Sequence, residues 1–156
     1  MNIESIIREY IDKSVHMSLA TVRNNKPWVC EVHFAYDQEL NIYFRSIATR
    51  RHCQEIADNP HVAGNIVRQH GLNELPHGIY FEGTAELITD EAEFPKLAKL
   101  FIDRLGVKET IIDEAKSPDG AHFYKITVQN WAAFGKFEGE KVQKHELAWH
   151  DAPTIA

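Results

Sequence analysis

The sequence predicts a mainly β fold, namely a small antiparallel β-barrel with peripheral helices. Short segments rich in β-branched and aromatic residues follow one another closely, and clusters of turn-forming residues separate them. Predicted strands outnumber predicted helices and do not alternate with them regularly, as a doubly wound parallel sheet would require. The length of 156 residues suits one domain, and we expect a single domain over residues 1–156.

The N-terminal third predicts one helix followed by a meander of strands. Isoleucines and a tyrosine at helical spacing indicate an amphipathic helix over residues 3–13. A strand is expected at 16–23, and a turn at 24–27 connects it to a second strand at 28–37. Another turn leads into a third strand, which begins at Asn41.

Basic side chains gather where this third strand passes into a helix expected over residues 50–58. Helix starts normally favour anions, because their free N–H groups carry partial positive charge, so basic residues there run against the usual preference. A phosphate monoester, bound by amides, hydroxyls and guanidinium groups, would satisfy the arrangement. The alternative is that the arginines are solvated or paired with Glu55 or Asp58. The side chains concerned are Arg45, Ser46, Thr49, Arg50, Arg51 and His52.

Two more strands are expected after Pro60. The first covers residues 61–69, where Gly64 indicates a close backbone approach, and a loop at 70–76 follows it. The second covers 78–88, and Gly83 in its interior is a candidate β-bulge.

The clearest helix of the chain precedes the last strands. A capping-box pattern at Asp90 and Glu93 leads into apolar residues at helical spacing, and Gly106 ends the helix. A short helix is expected at 108–115, and one or two strands at 121–137, interrupted near residue 130. The polar tail over 140–156 is expected to be loosely ordered.

Composition excludes several classes of function. The formal net charge of −6 argues against nonspecific nucleic-acid binding, and no apolar run approaches the roughly 20 residues that cross a membrane. No signal segment is apparent, so the cytoplasm is the expected location. Cys30 and Cys53 form no zinc or disulfide motif, and the spacing of His145 and His150 fits no known zinc pattern, so no metal is expected. Dinucleotide and P-loop glycine motifs are absent from the sequence.

The order of several short motifs resembles the pyridoxamine 5′-phosphate oxidase-like, FMN-binding split-barrel family. The similarity extends over most of that domain, and within the family a small branch with a Thr-Arg-His pattern is most similar. The matching stretches are LATV at 19–22, YFRS at 43–46, TRRH at 49–52, NPHVA at 59–63, FEGTAEL at 81–87 and NWAAFGK at 130–136.

The resemblance implies a six-stranded antiparallel split barrel of Greek-key type, and a homodimer with FMN at the subunit interface. The FMN phosphate would be held by the residues of the strand-to-helix junction named above. Glu31, Val32 and His33 would run beside the flavin ring and offer backbone groups to its polar edge. Ring contacts from the partner subunit would come from Trp131, Phe134 and Lys136.

Other interpretations of these residues stay open from the sequence. Trp131 and Phe134 can belong to the barrel core, and His33 can fill the core or complete a hydrogen bond. Where the family usually has an Arg-Lys pair, this chain has Arg51-His52, which replaces a permanent cation by a titratable one.

The function indicated is that of an FMN-dependent oxidoreductase. Its substrate is a small molecule that the sequence does not identify, with NAD(P)H as a possible electron donor. The arginine-containing C-terminal segment by which pyridoxamine phosphate oxidases hold their substrate has no counterpart after Gly139, which argues against vitamin B6 oxidation. The alternatives are a non-enzymatic flavin store or sensor, and a split barrel that binds deazaflavin or haem.

Overall fold

The computed structural model describes residues 2–137 and 141–151. The α-helices in this part of the chain are α1 (Ile3–Lys13), α2 (Arg51–Asp58), α3 (Phe94–Leu105) and α4 (Ile111–Lys116), and one 3-10 turn covers Glu91–Glu93. The strands are β1 (His16–Arg23), β2 (Lys26–Tyr36), β3 (Ile42–Ile47), β4 (His61–Val67), β5 (Gly78–Leu87), β6 (Ala121–Gly135) and β7 (Gln143–Ala148).

Six of these strands close into an antiparallel barrel. Around the barrel β1 lies between β2 and β4, β3 joins β2 to β6, and β5 joins β4 to β6. The predicted mainly β barrel with peripheral helices, of the six-stranded split-barrel type, is therefore confirmed.

The long strand β6 pairs with β3, β5 and β7 and contains a bulge. Glu82 lies opposite Asn130, but Gly83 lies opposite Val128, so Gln129 is an extra residue on β6. A Cβ atom on Gly83 would lie 2.3 Å from the carbonyl oxygen of Thr127, which explains the need for glycine opposite the bulge. The predicted interruption near residue 130 is this bulge within one continuous strand.

The tail differs from the expectation of loose order over residues 140–156. Residues 143–148 form β7, which pairs with the second half of β6 from Asn130 to Gly135. Beyond it, the indole nitrogen of Trp149 donates to the carbonyl oxygen of Glu39 at 2.6 Å. The polar composition of residues 143–148 did not predict a strand. Several of these side chains are exposed, and the strand is held by its pairing with β6. Residues 140 and 152–156 lie outside the described residues.

Two apolar clusters fill the fold. The larger lies inside the barrel and includes residues of α1 and α2 that cover it, with Phe34, Phe44 and Trp131 fully buried. The smaller lies between the outer side of the barrel and the helices α3 and α4, where Phe94 and Phe101 pack on Phe123. The second cluster fixes α3 beside β2 and β3.

Arg104 of α3 ties three elements together. Its Nε donates to the carbonyl oxygen of Phe34 at 3.1 Å, and its Nη2 donates to the carbonyl oxygens of Ile11 and Ser14 at the end of α1. The guanidinium carbon also lies 4.8 Å from the ring centroids of Phe34 and Tyr36. One side chain therefore joins α1, α3 and β2.

Candidate functional site

The junction of β3 and α2 has the features of an anion site. Arg50 occupies the position before α2 in an extended conformation, and no side chain caps the first N–H groups of the helix among the described residues. The first turn of α2 contains no acidic residue. The backbone amides there are available to a negatively charged group, and basic side chains surround them.

A cleft of about 320 Å³ opens at this junction. One wall is the strand segment Glu31–His33 of β2, and α3 with the chain after it supplies apolar side chains. Seven of the twelve residues predicted for the cofactor site meet here. The lining residues are Glu31, Val32, His33, Arg45, Ser46, Arg50, His52, Phe101, Leu105 and Val107.

A buried serine and a buried histidine line this cleft where β3 passes into α2. The Ser46 Oγ lies 2.8 Å from the His52 Nε2, and both residues are buried. Burial in the cleft and the positive charge of Arg50 hold the pKa of the His52 imidazole below its usual value, although Glu55 acts in the opposite direction. The imidazole is therefore neutral at neutral pH in this structure.

The three arginines of the junction differ in their partners. Arg45 is 16% exposed, and its Nη2 lies 2.5 Å from the Oε2 of Glu114 on α4. No ion pair among the described residues involves Arg50, which is exposed at the cleft. Arg51 points away, because its Nε pairs with the Glu55 carboxylate at 2.9 Å and its guanidinium carbon lies 4.2 Å from the ring centroid of Trp28.

Arg51 does not line the cleft in this structure, so its role at the phosphate stays a prediction. Successive residues on a helix differ in direction by about 100°, and in this structure His52 lines the cleft whereas Arg51 lies against Glu55 and Trp28. The alternative of pairing with Glu55 is what the structure contains for Arg51. Thr49 lies in the turn before α2, is exposed and does not line the cleft.

The β2 wall of the cleft has one open backbone edge. Residues 26–33 of β2 pair with β1, whereas β3 pairs only with residues 34–36. Within the described residues, the edge of Glu31–His33 opposite β1 therefore has no strand partner. Its N–H and C=O groups are free to bind a planar polar ligand.

A smaller cavity of about 220 Å³ adjoins this edge and contains a residue that the sequence did not single out. It is lined by His16 together with Glu31, Val32 and His33. The His16 Nδ1 lies 2.9 Å from one carboxylate oxygen of Glu31, and the Ser18 hydroxyl donates to the other at 2.5 Å. The sequence could have indicated His16, because antiparallel pairing of β1 with β2 places His16 opposite His33.

The C-terminal predicted residues are not brought to the cleft within one protomer. Trp131 is fully buried in the barrel and packs edge-to-face on Phe81, which contradicts a ring contact made across a subunit boundary. The alternative of a core role is correct for Trp131. Phe134 is partly buried, with its ring centroid 6.5 Å from that of Tyr80, and Lys136 is exposed.

The outer face of the barrel next to the cleft contains several exposed small and apolar side chains. The register places Val29, Ala20 and Ala63 in one row across β2, β1 and β4. Val29 is 59% exposed, and Tyr80 on neighbouring β5 is also exposed. An exposed face of small and apolar side chains beside a cleft is typical of a protein interface.

Within residues 2–137 and 141–151, no helix has the length and apolar character needed to cross a membrane. The same residues contain no cluster of three or more histidine, cysteine, aspartate or glutamate side chains arranged to hold a metal ion.

Solved structures of low sequence identity share the fold. The heme storage protein HutZ from Vibrio cholerae is 20% identical, with a TM-score of 0.67 over 82% of this chain and 91% of that chain. General Stress Protein 26 from Bacillus anthracis is 19% identical, with a TM-score of 0.66 over 95% of this chain and 99% of that chain. A heme binding protein from Mycobacterium smegmatis is 15% identical, with a TM-score of 0.70 over 90% of this chain and 56% of that chain.

Sequence comparison identifies the family. No curated protein matches the chain. A family model described as pyridoxamine 5′-phosphate oxidase matches residues 3–135, which include the barrel, the strand-to-helix junction and the cleft. This chain therefore belongs to the pyridoxamine 5′-phosphate oxidase family.

Proposed function

We propose that the protein is an FMN-binding oxidoreductase that acts as a homodimer. One observation carries the proposal: a single cleft joins a polar end to an open strand edge, and seven sequence-predicted cofactor residues line it. FMN combines a phosphate monoester with a planar ring whose edge accepts and donates hydrogen bonds. Membership of the family supports a flavin in this position.

The polar end of the cleft has donors that suit a phosphate group. The hydroxyl of Ser46, the imidazole of His52 and the guanidinium of Arg50 converge there, beside the uncapped amides of α2. The Arg50 guanidinium and the amides donate to phosphate oxygens directly, whereas the Ser46 hydroxyl does so when the His52 Nε2 carries a hydrogen; a charged donor gives the stronger hydrogen bond. Arg45 contributes less net charge than its position suggests, because Glu114 neutralises it.

The other end of the cleft suits a ring. The free backbone groups of Glu31–His33 would bind its polar edge, while Phe101 and Leu105 of α3 exclude water from the opposite wall. When bound, the flavin would supply the electron transfer. The side chains of this chain bind and orient it, and no acid or base from the protein is required for hydride transfer to the ring.

The homodimer is supported by the outer face next to the cleft. Val29 is two residues from Glu31, so a second copy that covers Val29, Ala20 and Ala63 would also border the cleft. Tyr80 and Phe134 on the adjoining part of the face would lie against the partner. The proposed interface buries apolar area that the isolated protomer exposes to water.

The direct test is the absorption spectrum of the purified protein. A yellow protein with flavin bands, or one that takes up FMN in a titration, supports the proposal. Mass spectrometry of the released group identifies it. A colourless protein that gives no signal on titration with FMN contradicts it.

A matched pair of variants tests the phosphate site. Arg50→Ala removes the cation that has no ion-pair partner among the described residues, and it should weaken FMN binding at least tenfold, since a charged hydrogen bond contributes about 1.5–3 kcal/mol. Binding of riboflavin, which lacks the phosphate, should change much less. Arg51→Ala, one residue further along, should affect both ligands only slightly, because Arg51 faces Trp28 and Glu55. Equal losses in the two variants would refute the assignment.

Haem is a second candidate cofactor, and one observation favours it. His16 and His33 place two exposed imidazoles beside the smaller cavity, with ring centroids 6.4 Å apart, and imidazole is a common ligand of haem iron. Two of the structural neighbours described above bind or store heme. The absorption spectrum separates the two cofactors, because haem gives an intense Soret band and FMN does not. It also distinguishes a deazaflavin.

A flavin store or sensor would bind FMN without catalysis. Steady reduction of an acceptor by NADH or NADPH in the presence of the FMN-loaded protein supports an enzyme. Tight binding with no turnover over a panel of acceptors, such as quinones and nitroaromatics, supports a store or sensor.

A further inference from the structure

We infer that binding of a phosphate ester to the cleft is coupled to uptake of one proton by His52, so that this residue makes the site selective for the phosphorylated form of its ligand. The inference rests on the proposed function, since it takes FMN as the ligand. It concerns His52, which lines the cleft and lies within hydrogen-bond distance of Ser46.

The positive charge at the cleft does not balance the negative charge of a phosphate monoester. Arg45 is paired with Glu114, and Arg51 is paired with Glu55 outside the cleft. Within the described residues, Arg50 is the cation lining the cleft that has no ion-pair partner. A phosphate monoester carries nearly two negative charges above its second pKa of about 6. Arg50 therefore leaves the site at least one positive charge short of its ligand, and the Glu31 carboxylate in the same cleft adds a negative charge.

The hydrogen bond between Ser46 and His52 can run in either direction, depending on whether the imidazole Nε2 carries a hydrogen. With a neutral imidazole that has no hydrogen on Nε2, the Ser46 hydroxyl donates to this nitrogen at 2.8 Å, and its hydrogen is not available to a ligand. Protonation reverses the hydrogen bond. The Nε2–H then donates to the Ser46 oxygen, and the hydroxyl hydrogen is free to donate to a phosphate oxygen. One proton thus supplies both a charge and a donor.

The surroundings of His52 keep it neutral until an anion arrives. Burial and Arg50 hold the pKa of the imidazole below its usual value, and the dianion would raise it by replacing a nearby net positive charge with a negative one. The ring centroid of His52 lies 6.1 Å from that of Phe44. The side chains of α3 that line the cleft, Phe101 and Leu105, are apolar. The charged or titratable groups around His52 are Arg50, Arg51 and Glu55 of α2 and its cap, Arg45 of β3, Glu31 and His33 of β2, and His122 of β6, which lies opposite Ser46.

Isothermal titration calorimetry in two buffers of different ionisation enthalpy measures the proton count directly. At pH 7.5, the full-length protein freed of bound flavin should take up about 0.5–1 proton for each FMN bound, and none for riboflavin. The dissociation constant for FMN should increase with pH by up to about tenfold per unit between pH 7 and 8.5, while that for riboflavin stays constant.

Two variants assign the proton to His52. His52→Gln keeps a hydrogen-bonding group beside Ser46 but cannot be protonated, so FMN binding should lose its proton uptake and its dependence on pH. Arg50→Gln removes a permanent charge from the same cleft, so FMN should bind more weakly while most of the proton uptake remains. Circular dichroism and riboflavin binding verify that each variant folds.

The outcomes separate this inference from the proposed function. FMN binding to the wild-type protein without proton uptake overturns the role of His52 and leaves the FMN site standing. Proton uptake of equal size in His52→Gln also overturns it. Absence of FMN binding overturns both proposals. The wild-type measurement decides even where a variant does not fold.

Discussion

Replacement of Arg104 by alanine should be among the most destabilising changes outside the barrel core. The guanidinium donates to the carbonyl oxygens of Phe34, Ile11 and Ser14, which belong to β2 and to the end of α1. It also stacks over the rings of Phe34 and Tyr36 at 4.8 Å. Alanine removes all of these contacts, so α1 loses its main polar connection to α3 and β2.

The expected loss of stability can be estimated from the carbonyl groups and aromatic rings that Arg104 contacts. A partly buried carbonyl left without its donor costs about 1–3 kcal/mol, and water reaches some of these groups in the variant. The cation–π contacts contribute about 0.5–2 kcal/mol. Because such terms do not add fully, we expect a loss of about 3 kcal/mol, which is a large part of the 5–15 kcal/mol typical of a domain.

Urea denaturation of the full-length protein measures this loss. With an m-value of about 2 kcal/mol/M, the unfolding midpoint should decrease by about 1.5 M. Arg68→Ala is the matched control, because Arg68 is half exposed, lies 3.8 Å from Glu9 and has its guanidinium carbon 5.6 Å from the ring centroid of Tyr10. Its loss should cost less than about 1 kcal/mol. Arg104→Lys should recover little, since a lysine cannot reach three carbonyl groups in a fork. Equal small losses in the two alanine variants would refute the reasoning.

Three further predictions concern the barrel, acid stability and assembly. Gly83→Ala should cost about 1–3 kcal/mol, because its Cβ would overlap the bulged strand, whereas Gly71→Ala, with no atom closer than 3.8 Å, should be nearly neutral in the same urea assay. The Thr21 hydroxyl holds the pKa of the Glu55 carboxyl below its usual value, so this stabilisation is present above about pH 4.3 and is lost as the pH falls below it. Glu55→Gln should flatten that part of a stability curve between pH 7 and 3, and an unchanged slope would contradict the assignment. Val29→Lys should convert the proposed dimer to a monomer in light scattering without loss of fold, and an intact dimer would exclude this face.

Local patterns predicted most of the fold correctly. The helix at Ile3–Lys13 and the strand at His16–Arg23 have the predicted bounds, because apolar spacing, caps and turn residues all agree there. A register shift does occur at Gly83, although the extra residue is Gln129 on the paired strand β6. The strand β7 was missed, since its pairing depends on a partner distant in sequence and not on its own alternation.

The same bulge explains why the role of Trp131 could not be deduced. Side chains of a regular strand alternate between two faces, so Val128 and Trp131, three residues apart, would point to opposite sides. The extra residue Gln129 reverses the alternation, and both side chains are fully buried. The position of this reversal is defined by the register of β6 against β5, and the sequence of β6 does not indicate it.

At the site, the sequence predicted the cluster but not the direction of its members. The composition around α2 identified a concentration of basic residues, and seven of the predicted side chains do line one cleft. Which arginine faces inward depends on where the helix begins and on acidic partners elsewhere. Glu114 of α4 is 69 residues from Arg45, a separation at which no local pattern indicates a contact.

The open edge of β2 also governs how the polypeptide behaves during expression and storage. A row of unsatisfied N–H and C=O groups beside an exposed valine is a template on which another extended chain can add by hydrogen bonding. Conditions that leave this edge bare therefore favour aggregation. A ligand that covers this edge would also protect the protein from aggregation. If the proposed FMN site is correct, supplementation of the growth medium with riboflavin should raise the yield of soluble material.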